Sequence, residues 1–419
     1  MVILGSTGSI GVNAQKVARQ FNVTIEALAC GSNITLLNKQ IKECNPKFVA
    51  IADERYLDML QPQDSVVFVG EEGICKMLEA CESTKILNAV VGYAGLSFSL
   101  KTIQLKKQLI LANKESLVIA GHLIKQNVMQ YAKLMESNMC KDSNTTNPHL
   151  NNNVSTIKMQ RNFMLEHIFP IDSEHFSLWS LLAILDTKER LDAIYYKGFK
   201  NLYITASGGA LRDFSLDKIS HATLNDVLKH PTWNMGQKIT IDSATLVNKL
   251  YEILEAYWLF DTKNIHAFIE RSSLVHAFIE SSNNALHASI SHADMCLPIA
   301  YGIDRFQAQH TFCITPLSVN DFAKINFQEI DIKRYPLWAY KDLLLENPHL
   351  GIALNSSNEL VQMYFLQEKV PFYALAEINM QVLDKMKDIK SPNTLESILA
   401  YRQEAIALSN FFIKSLKQR

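Results

Sequence analysis

Two acids one residue apart, Asp172 and Glu174, follow the apolar run 164–171, and if that segment continues extended both side chains project from the same side. Carboxylates so placed offer hard oxygen ligands to one divalent cation, Mg²⁺ or Mn²⁺ first and Co²⁺ as a further candidate. Such cations keep coordination positions open for a substrate oxygen. The same pair would also serve as solvent-facing acids or as a helix cap. A third carboxylate closes the segment Asp242-Ser243-Ala244-Thr245-Leu246-Val247-Asn248-Lys249-Leu250-Tyr251-Glu252. With Asp242 or Ser243 capping a helix, Asn248 and Glu252 align at i, i+4, and Lys249 stands beside Glu252 at i, i+3. One helix then presents a metal ligand together with donors for a phosphate. The competing reading is an exposed Lys249–Glu252 ion pair.

Other segments suit anions. Thr205-Ala206-Ser207-Gly208-Gly209 ends a strand-like run in small residues that let backbone amides approach a phosphate, or it is a plain turn. His230-Pro231-Thr232-Trp233-Asn234-Met235-Gly236 combines a titratable ring, an indole, a proline and a glycine, which suits a loop closing over a ligand. Trp233 would otherwise be an ordinary half-buried anchor. Gly5-Ser6-Thr7-Gly8-Ser9-Ile10-Gly11 lies between a short apolar strand and a helix, where glycines allow a pyrophosphate to reach the helix N-terminus. Its G-x-x-G-x-x-G spacing departs from the common dinucleotide fingerprint. About twenty residues on, where NAD sites place an acid for the ribose diol, the chain reads Ala29-Cys30-Gly31-Ser32-Asn33. With no acid to repel it, a ribose 2′-phosphate fits there, which favours NADPH over NADH.

The elements that must position these groups follow from periodicity. Residues 1–4, 23–30, 48–51, 65–69, 87–91 and 108–112 read as strands separated by helical stretches such as 12–20 and 35–42. That alternation predicts an α/β fold: a Rossmann-like, doubly wound N-terminal domain over 1–171. A polar, Asn-rich stretch near 138–162 reads as a surface insertion. Residues 173–185 and 243–260 read as helices, and 202–206, 273–279 and 285–290 as strands, so 172–303 is expected to be an α+β catalytic and metal-binding domain. Residues 304–331 read as a linker. Apolar spacing at 337–345, 357–367, 373–386 and 395–416 predicts a C-terminal helical bundle over 332–419.

Composition narrows the partners. With 41 basic and 42 acidic residues the net charge is −1, so no global field draws nucleic acid or an anionic membrane, and phosphate recognition must be local. The seven cysteines include no C-x-x-C pair and are read as reduced. No apolar run reaches the ~20 residues that span a bilayer, and the chain enters its glycine motif without a basic-then-apolar leader. A cytoplasmic protein acting on a small metabolite is expected.

Taken in order, residues 5–11, 90–95, Leu111-Ala112-Asn113-Lys114-Glu115-Ser116, 170–175, 207–209, 230–236, 242–249 and 354–359 resemble the 1-deoxy-D-xylulose 5-phosphate reductoisomerase family along almost the whole chain. The resemblance implies NADPH contacts from Thr7, Gly8, Ser9, Ile10, Gly31, Ser32, Asn33, Asn113, Glu115 and Gly236. It implies metal ligation by Asp172, Glu174 and Glu252. Lys114, Ser173, Glu174, Ser207, His230, Trp233, Met235, Thr240, Asn248, Lys249 and Glu252 are implied around the phosphorylated substrate, with Lys114, Asp172, Glu174 and Glu252 catalytic. A homodimer is implied as well.

The implied reaction rearranges 1-deoxy-D-xylulose 5-phosphate by retro-aldol cleavage and aldol recombination. Hydride from NADPH then reduces the branched aldehyde to 2-C-methyl-D-erythritol 4-phosphate, a step of non-mevalonate isoprenoid precursor biosynthesis. The chain departs from the usual family pattern at Ala210-Leu211, at Leu250-Tyr251 and at Glu270-Arg271-Ser272, where only His276 of an H-P-Q-S-x-x-H segment remains. Thr240 stands where serine is commoner, and Ser32 where lysine often stands beside the cofactor. Two rival functions differ in class. One is an NADP-dependent dehydrogenase of a phosphorylated or acidic aldehyde, which needs no carboxylate triad. The other is a non-catalytic nucleotide sensor, which leaves the ordered carboxylates unexplained.

Overall fold

The computed structural model describes residues 1–142, 162–185, 199–233, 235–311 and 313–416. Residues 143–161, most of the expected Asn-rich insertion, lie outside the described residues. Short runs of Val, Ile, Leu and Ala form the first sheet: β1 (Val2–Leu4), β2 (Ala27–Cys30), β3 (Phe48–Ile51), β4 (Val66–Val69), β5 (Lys85–Asn88), β6 (Gln108–Leu111) and β7 (Ile168–Pro170). Their order is β4-β3-β2-β1-β5-β6-β7, and every pairing is parallel. Strands β1, β2 and β3 are buried along their full length, as expected where helices cover both faces. The order reverses between β1 and β5, so a crevice opens at their carboxyl ends, where α/β sheets bind ligands. Gly5, at φ +76°, makes that crevice: a Cβ on it would stand 2.5 Å from the Ala89 carbonyl oxygen, a fit only glycine allows.

The second sheet comprises β8 (Phe199–Ala206), β9 (Ile265–Glu270), β10 (Val275–Ser281), β11 (Leu286–Ile290) and β12 (Phe327–Gln328), ordered β11-β10-β8-β9-β12. Strands β8 and β9 are parallel and the other pairs antiparallel. The sequence reading passes over β9, and it treats 304–331 as linker although β12 there pairs with β9. The segment expected as one helix over 243–260 is two, Gln237–Thr245 and Val247–Phe260, broken at Leu246. Leu246 takes the left-handed conformation at φ +59°, which costs a non-glycine residue roughly 1–2 kcal/mol. The break turns the chain so that both helices address one cavity.

The helix Glu115–Asp142 runs into the start of the expected insertion, so residues 138–142 are helical rather than loop. At the C-terminal end, Leu350–Leu366, Tyr373–Met386 and Leu395–Leu416 pack on one another, and the first of them also packs on Glu115–Asp142. One apolar core runs from β1 and β6 through Val247–Phe260 into this bundle. No helix among the described residues is long and apolar enough to cross a membrane.

Candidate active site

The carboxyl ends of β1, β5, β6 and β7 and the small-residue end of β8 open into a cavity of about 560 Å³. Gly8, Ser9 and Ile10 line it after β1, Val90 and Val91 after β5, Asn113, Lys114 and Glu115 after β6, and Asp172, Ser173 and Glu174 after β7. Ser207 follows β8, and Asn248, Lys249 and Glu252 come from the Val247–Phe260 helix.

Asp172, Glu174 and Glu252 converge there, each offering a carboxylate oxygen, all within 4.8 Å of one another. Alternation along a strand does not bring the first two together, contrary to the sequence argument. The chain turns from strand to helix at this point: the Asp172 backbone carbonyl accepts the Phe176 amide at 2.8 Å as the Ser173–Leu185 helix begins, and Glu174 belongs to its first turn. Two ammonium groups hold the acids. Lys114 donates to Glu252 Oε1 at 3.0 Å and to Asn248 Oδ1 at 2.9 Å, and pairs with Asp172. Lys249 donates to Glu174 Oε1 at 2.7 Å and also reaches Glu252 and the Thr205 carbonyl. Lys249 and Glu252 are buried, so their pairing is no exposed ion pair.

Burial and the adjacent Glu174 charge raise Glu252 above the ordinary carboxylate range. Burial alone would also raise Glu174, but Lys249 and His276 draw it below. Three hard oxygen donors gathered in a largely buried corner, with Lys114 and Lys249 holding them in place, fit a divalent cation. Behind them His175 shares a hydrogen bond with the Glu252 carbonyl at 2.9 Å and stands 3.3 Å from Glu255, fixing the helix that carries Glu252.

Opposite the acids, His230 accepts the amides of Thr232 and Trp233 at Nδ1, at 3.3 and 2.9 Å. Its proton is therefore on Nε2, which donates to Ser207 Oγ at 2.9 Å. Burial, and then Arg212, lower the ring to about 4, so it is neutral near pH 7. Ser207 Oγ in turn accepts the Gly209 amide at 3.2 Å. Trp233 crosses His276 edge to face, with ring centroids 6.4 Å apart. Met235 and Gly236 also line the cavity.

Some of the expected residues do not line this cavity. Thr240 is not on the cavity: its hydroxyl donates to the Gly236 carbonyl at 2.9 Å, and Ser243, about one turn on, lines the cavity instead. Thr7, Gly31, Ser32 and Asn33 do not line it either; Asn33 Oδ1 caps the helix Ile34–Cys44 by accepting the Leu36 amide at 3.2 Å. Sequence reasoning also passed over Lys238 and Asp242 as cavity residues, although their i, i+4 spacing with a hydroxyl at 243 on the same helix was a readable signal. Asp242 accepts Asn358 Nδ2 at 2.6 Å and Gln362 Nε2 at 2.5 Å from the C-terminal bundle, and burial pushes it up to about 6.

The departures from the family pattern have local compensation. Leu250 and Tyr251 are buried in the core, and the buried Glu270 carboxylate gathers the amides of Ser272, Leu274 and Val275 at 2.9, 2.8 and 3.2 Å. Ala210-Leu211 leads into Arg212, which ties the Ser207 and Arg271 carbonyls together at 2.9 and 2.7 Å.

Comparison with known proteins agrees with this architecture. Residues 1–121 match the family model for 1-deoxy-D-xylulose 5-phosphate reductoisomerase, 168–260 that enzyme's C-terminal domain model, and 290–408 the DXP reductoisomerase C-terminal domain model. The chain is 45% identical over 407 residues to the 1-deoxy-D-xylulose 5-phosphate reductoisomerase of Helicobacter pylori strain J99, covering 96% of this chain and 97% of that one. It is 41% identical over 405 residues to the enzyme of that name from Nautilia profundicola, covering 96% and 97%. A crystal structure of DOX-P reductoisomerase in complex with NADPH, fosmidomycin and magnesium superposes with a TM-score of 0.82 at 28% identity, covering 100% of this chain and 98% of that one. The Zymomonas mobilis enzyme in complex with NADPH gives 0.78 at 25%, covering 99% and 98%. With relatives this similar over nearly its full length, the chain belongs to the 1-deoxy-D-xylulose 5-phosphate reductoisomerase family.

Proposed function

We propose that this protein is an NADPH- and divalent-metal-dependent enzyme that rearranges and reduces 1-deoxy-D-xylulose 5-phosphate to 2-C-methyl-D-erythritol 4-phosphate for isoprenoid precursor biosynthesis. The observation that carries the reading is the meeting of Asp172, Glu174 and Glu252 with Lys114 and Lys249 in the cavity that also reaches the glycine turn. A plain dehydrogenase has no use for that triad.

When bound by these three acids, Mg²⁺ or Mn²⁺ supplies Lewis acidity that stabilises negative charge on the substrate's ketone and neighbouring hydroxyl oxygens, and NADPH supplies the hydride. The chain's own residues do the rest. Lys114 and Asn248 orient the Glu252 carboxylate and face the reacting carbons from β6 and the facing helix. Lys249, Ser207, Ser243 and His230 are assigned to the phosphate end, where a neutral His230 donates through Nε2 and sets the Ser207 hydroxyl. Trp233 and Met235 exclude water from above. Gly8, Ser9, Ile10, Asn113, Glu115 and Gly236 are assigned to the nicotinamide side. The adenosine side runs past Thr7, Gly31, Ser32 and Asn33, beyond the cavity.

We further assign a homodimer, a cytoplasmic location, and functional units at 1–171, 172–303 and 332–419, joined by 304–331, which also lends β12 to the second sheet; the first two rest on the family likeness and on the six cysteines that are free among the described residues. Product analysis with purified protein, NADPH, Mg²⁺ and 1-deoxy-D-xylulose 5-phosphate tests the reaction. Appearance of the branched polyol phosphate with matched NADPH oxidation is expected, and oxidation without skeletal rearrangement would refute it.

A further inference from the structure

Lys238 has no place in the mechanism above, yet it lines the cavity from the first turn of the Gln237–Thr245 helix, directly after the loop that carries Trp233 and Met235. Its ammonium stands 2.5 Å from Glu115 Oε1, after β6, and 3.5 Å from Glu359 Oε1, on Leu350–Leu366 of the C-terminal bundle. Those same two oxygens accept the consecutive amides of the turn Gly92–Gly95 after β5: Gly92 N to Glu115 at 3.2 Å and Tyr93 N to Glu359 at 3.2 Å. Asn113 closes the cluster by donating to Glu115 Oε2 at 3.0 Å and to the Gly92 carbonyl at 2.9 Å. The other charges facing it are Asp242 on the same helix and Arg402, which stands 3.7 Å from Glu359 Oε2 and over the Tyr93 ring at 4.6 Å.

We propose that Lys238 is a positioning residue for the cofactor: by bridging Glu115 and Glu359 it holds the Gly92–Gly95 turn in the shape that receives the nicotinamide end of NADPH. The physical reason is charge balance. Without the ammonium, Glu115 loses its cation and faces Glu359, which keeps only the 3.7 Å contact to Arg402, and the repulsion between the two carboxylates releases the two amides that define the turn. Burial would lower the Lys238 ammonium, but Glu115, Asp242 and Glu359 outweigh it and raise it above its ordinary value, so the bridge is charged throughout the working range. The bridge also joins three parts of the chain that no stretch of sequence connects, so the turn at the nicotinamide registers how the 230–236 loop and the bundle are placed.

The inference rests on the NADPH reading of this site, and the test separates the two. NADPH affinity, measured by fluorescence titration without substrate, is compared for wild type, Lys238→Met, Lys238→Arg and Lys238→Met/Glu359→Gln, each checked for folding by circular dichroism. Hydrogen exchange of the Gly92 and Tyr93 amides is followed in the cofactor-free protein. Lys238→Met is expected to bind NADPH at least tenfold more weakly and to exchange both amides faster, with Mg²⁺ affinity within threefold of wild type. Lys238→Arg should recover most of the affinity. Glu359→Gln should improve binding in the Lys238→Met background because it removes the repulsion between the two carboxylates while its amide oxygen can still accept the Tyr93 amide, a sign that a merely structural role does not give. Unchanged NADPH affinity in folded Lys238→Met, or further weakening by Glu359→Gln, overturns the inference alone. A wild type that binds no NADPH overturns the cofactor reading and the inference with it.

Discussion

Replacing Glu252 by Gln keeps the volume and helix propensity of a residue that is 1% exposed, and removes one of the three anions at the assigned metal site. As the structure stands, three carboxylates face two ammonium groups, and the substitution removes one of the three charges available to a cation. Two unit charges about 4 Å apart at an effective dielectric near 20 interact by about 4 kcal/mol. A divalent cation would draw twice that from Glu252, but Lys114 and Lys249 already compete for the same oxygens, so about half, again ~4 kcal/mol, is the portion at stake. Since ~1.4 kcal/mol is a factor of ten, turnover should fall roughly a thousandfold and Mg²⁺ affinity by a comparable factor. Folding should survive, because Lys114 and Lys249 retain Asp172 and Glu174 as partners. NADPH affinity should change less than threefold, since its assigned contacts, Gly236 apart, lie on the loops and helices that follow the first sheet's strands. The assay measures Mg²⁺ affinity, NADPH affinity and product formation on one mutant preparation whose melting temperature is known. Near-native Mg²⁺ binding together with near-native turnover would remove Glu252 from the site and refute the three-carboxylate reasoning.

Lys249→Ala should weaken substrate use at least a hundredfold while leaving NADPH affinity within a few fold; equal proportional losses for substrate analogues with and without the phosphate would show that Lys249 serves only the acids it touches. NADPH should be used with at least tenfold higher catalytic efficiency than NADH, because no acid follows β2 to repel a ribose 2′-phosphate, and comparable efficiencies would contradict that reading. His230, lowered to about 4 by burial, contributes stability to its loop that is complete above the unfolded value near 6.5 and is lost as pH falls toward 4, because there the unfolded chain binds the proton more readily. The Michaelis constant for substrate should therefore rise as pH drops through that window, and His230→Gln should flatten the rise; an unaltered profile in the mutant would assign the effect to another group.

Much of the fold was legible because secondary structure follows local period. The runs 48–51 and 108–112 read as parallel strands, the second ending one residue earlier in the structure, and the stretches 173–185, 373–386 and 395–416 are helical as read. The strand β9 escaped although Asp261-Thr262-Lys263-Asn264 sets it off from the preceding helix, because adjacent apolar residues at 267–269 blur its alternation, and the break at Leu246 escaped because no glycine or proline marks it. Residue chemistry was legible too: the hard oxygen donors, the missing acid after β2 and the small residues at 207–209 depend on side-chain type alone. Their convergence did not. Glu252 meets Asp172 and Glu174 across about eighty residues only because β6 and β7 are parallel neighbours whose carboxyl ends face the Val247–Phe260 helix. Likewise Thr240 and Ser243 are three residues apart, yet which hydroxyl enters the cavity was decided by how the helix rotates against Asn358 and Gln362. Local periodicity is written in neighbouring residues, whereas helix rotation and strand order are settled by packing between segments far apart in the chain, so the chemistry on offer was readable in the sequence and its assembly into one site belonged to the tertiary structure.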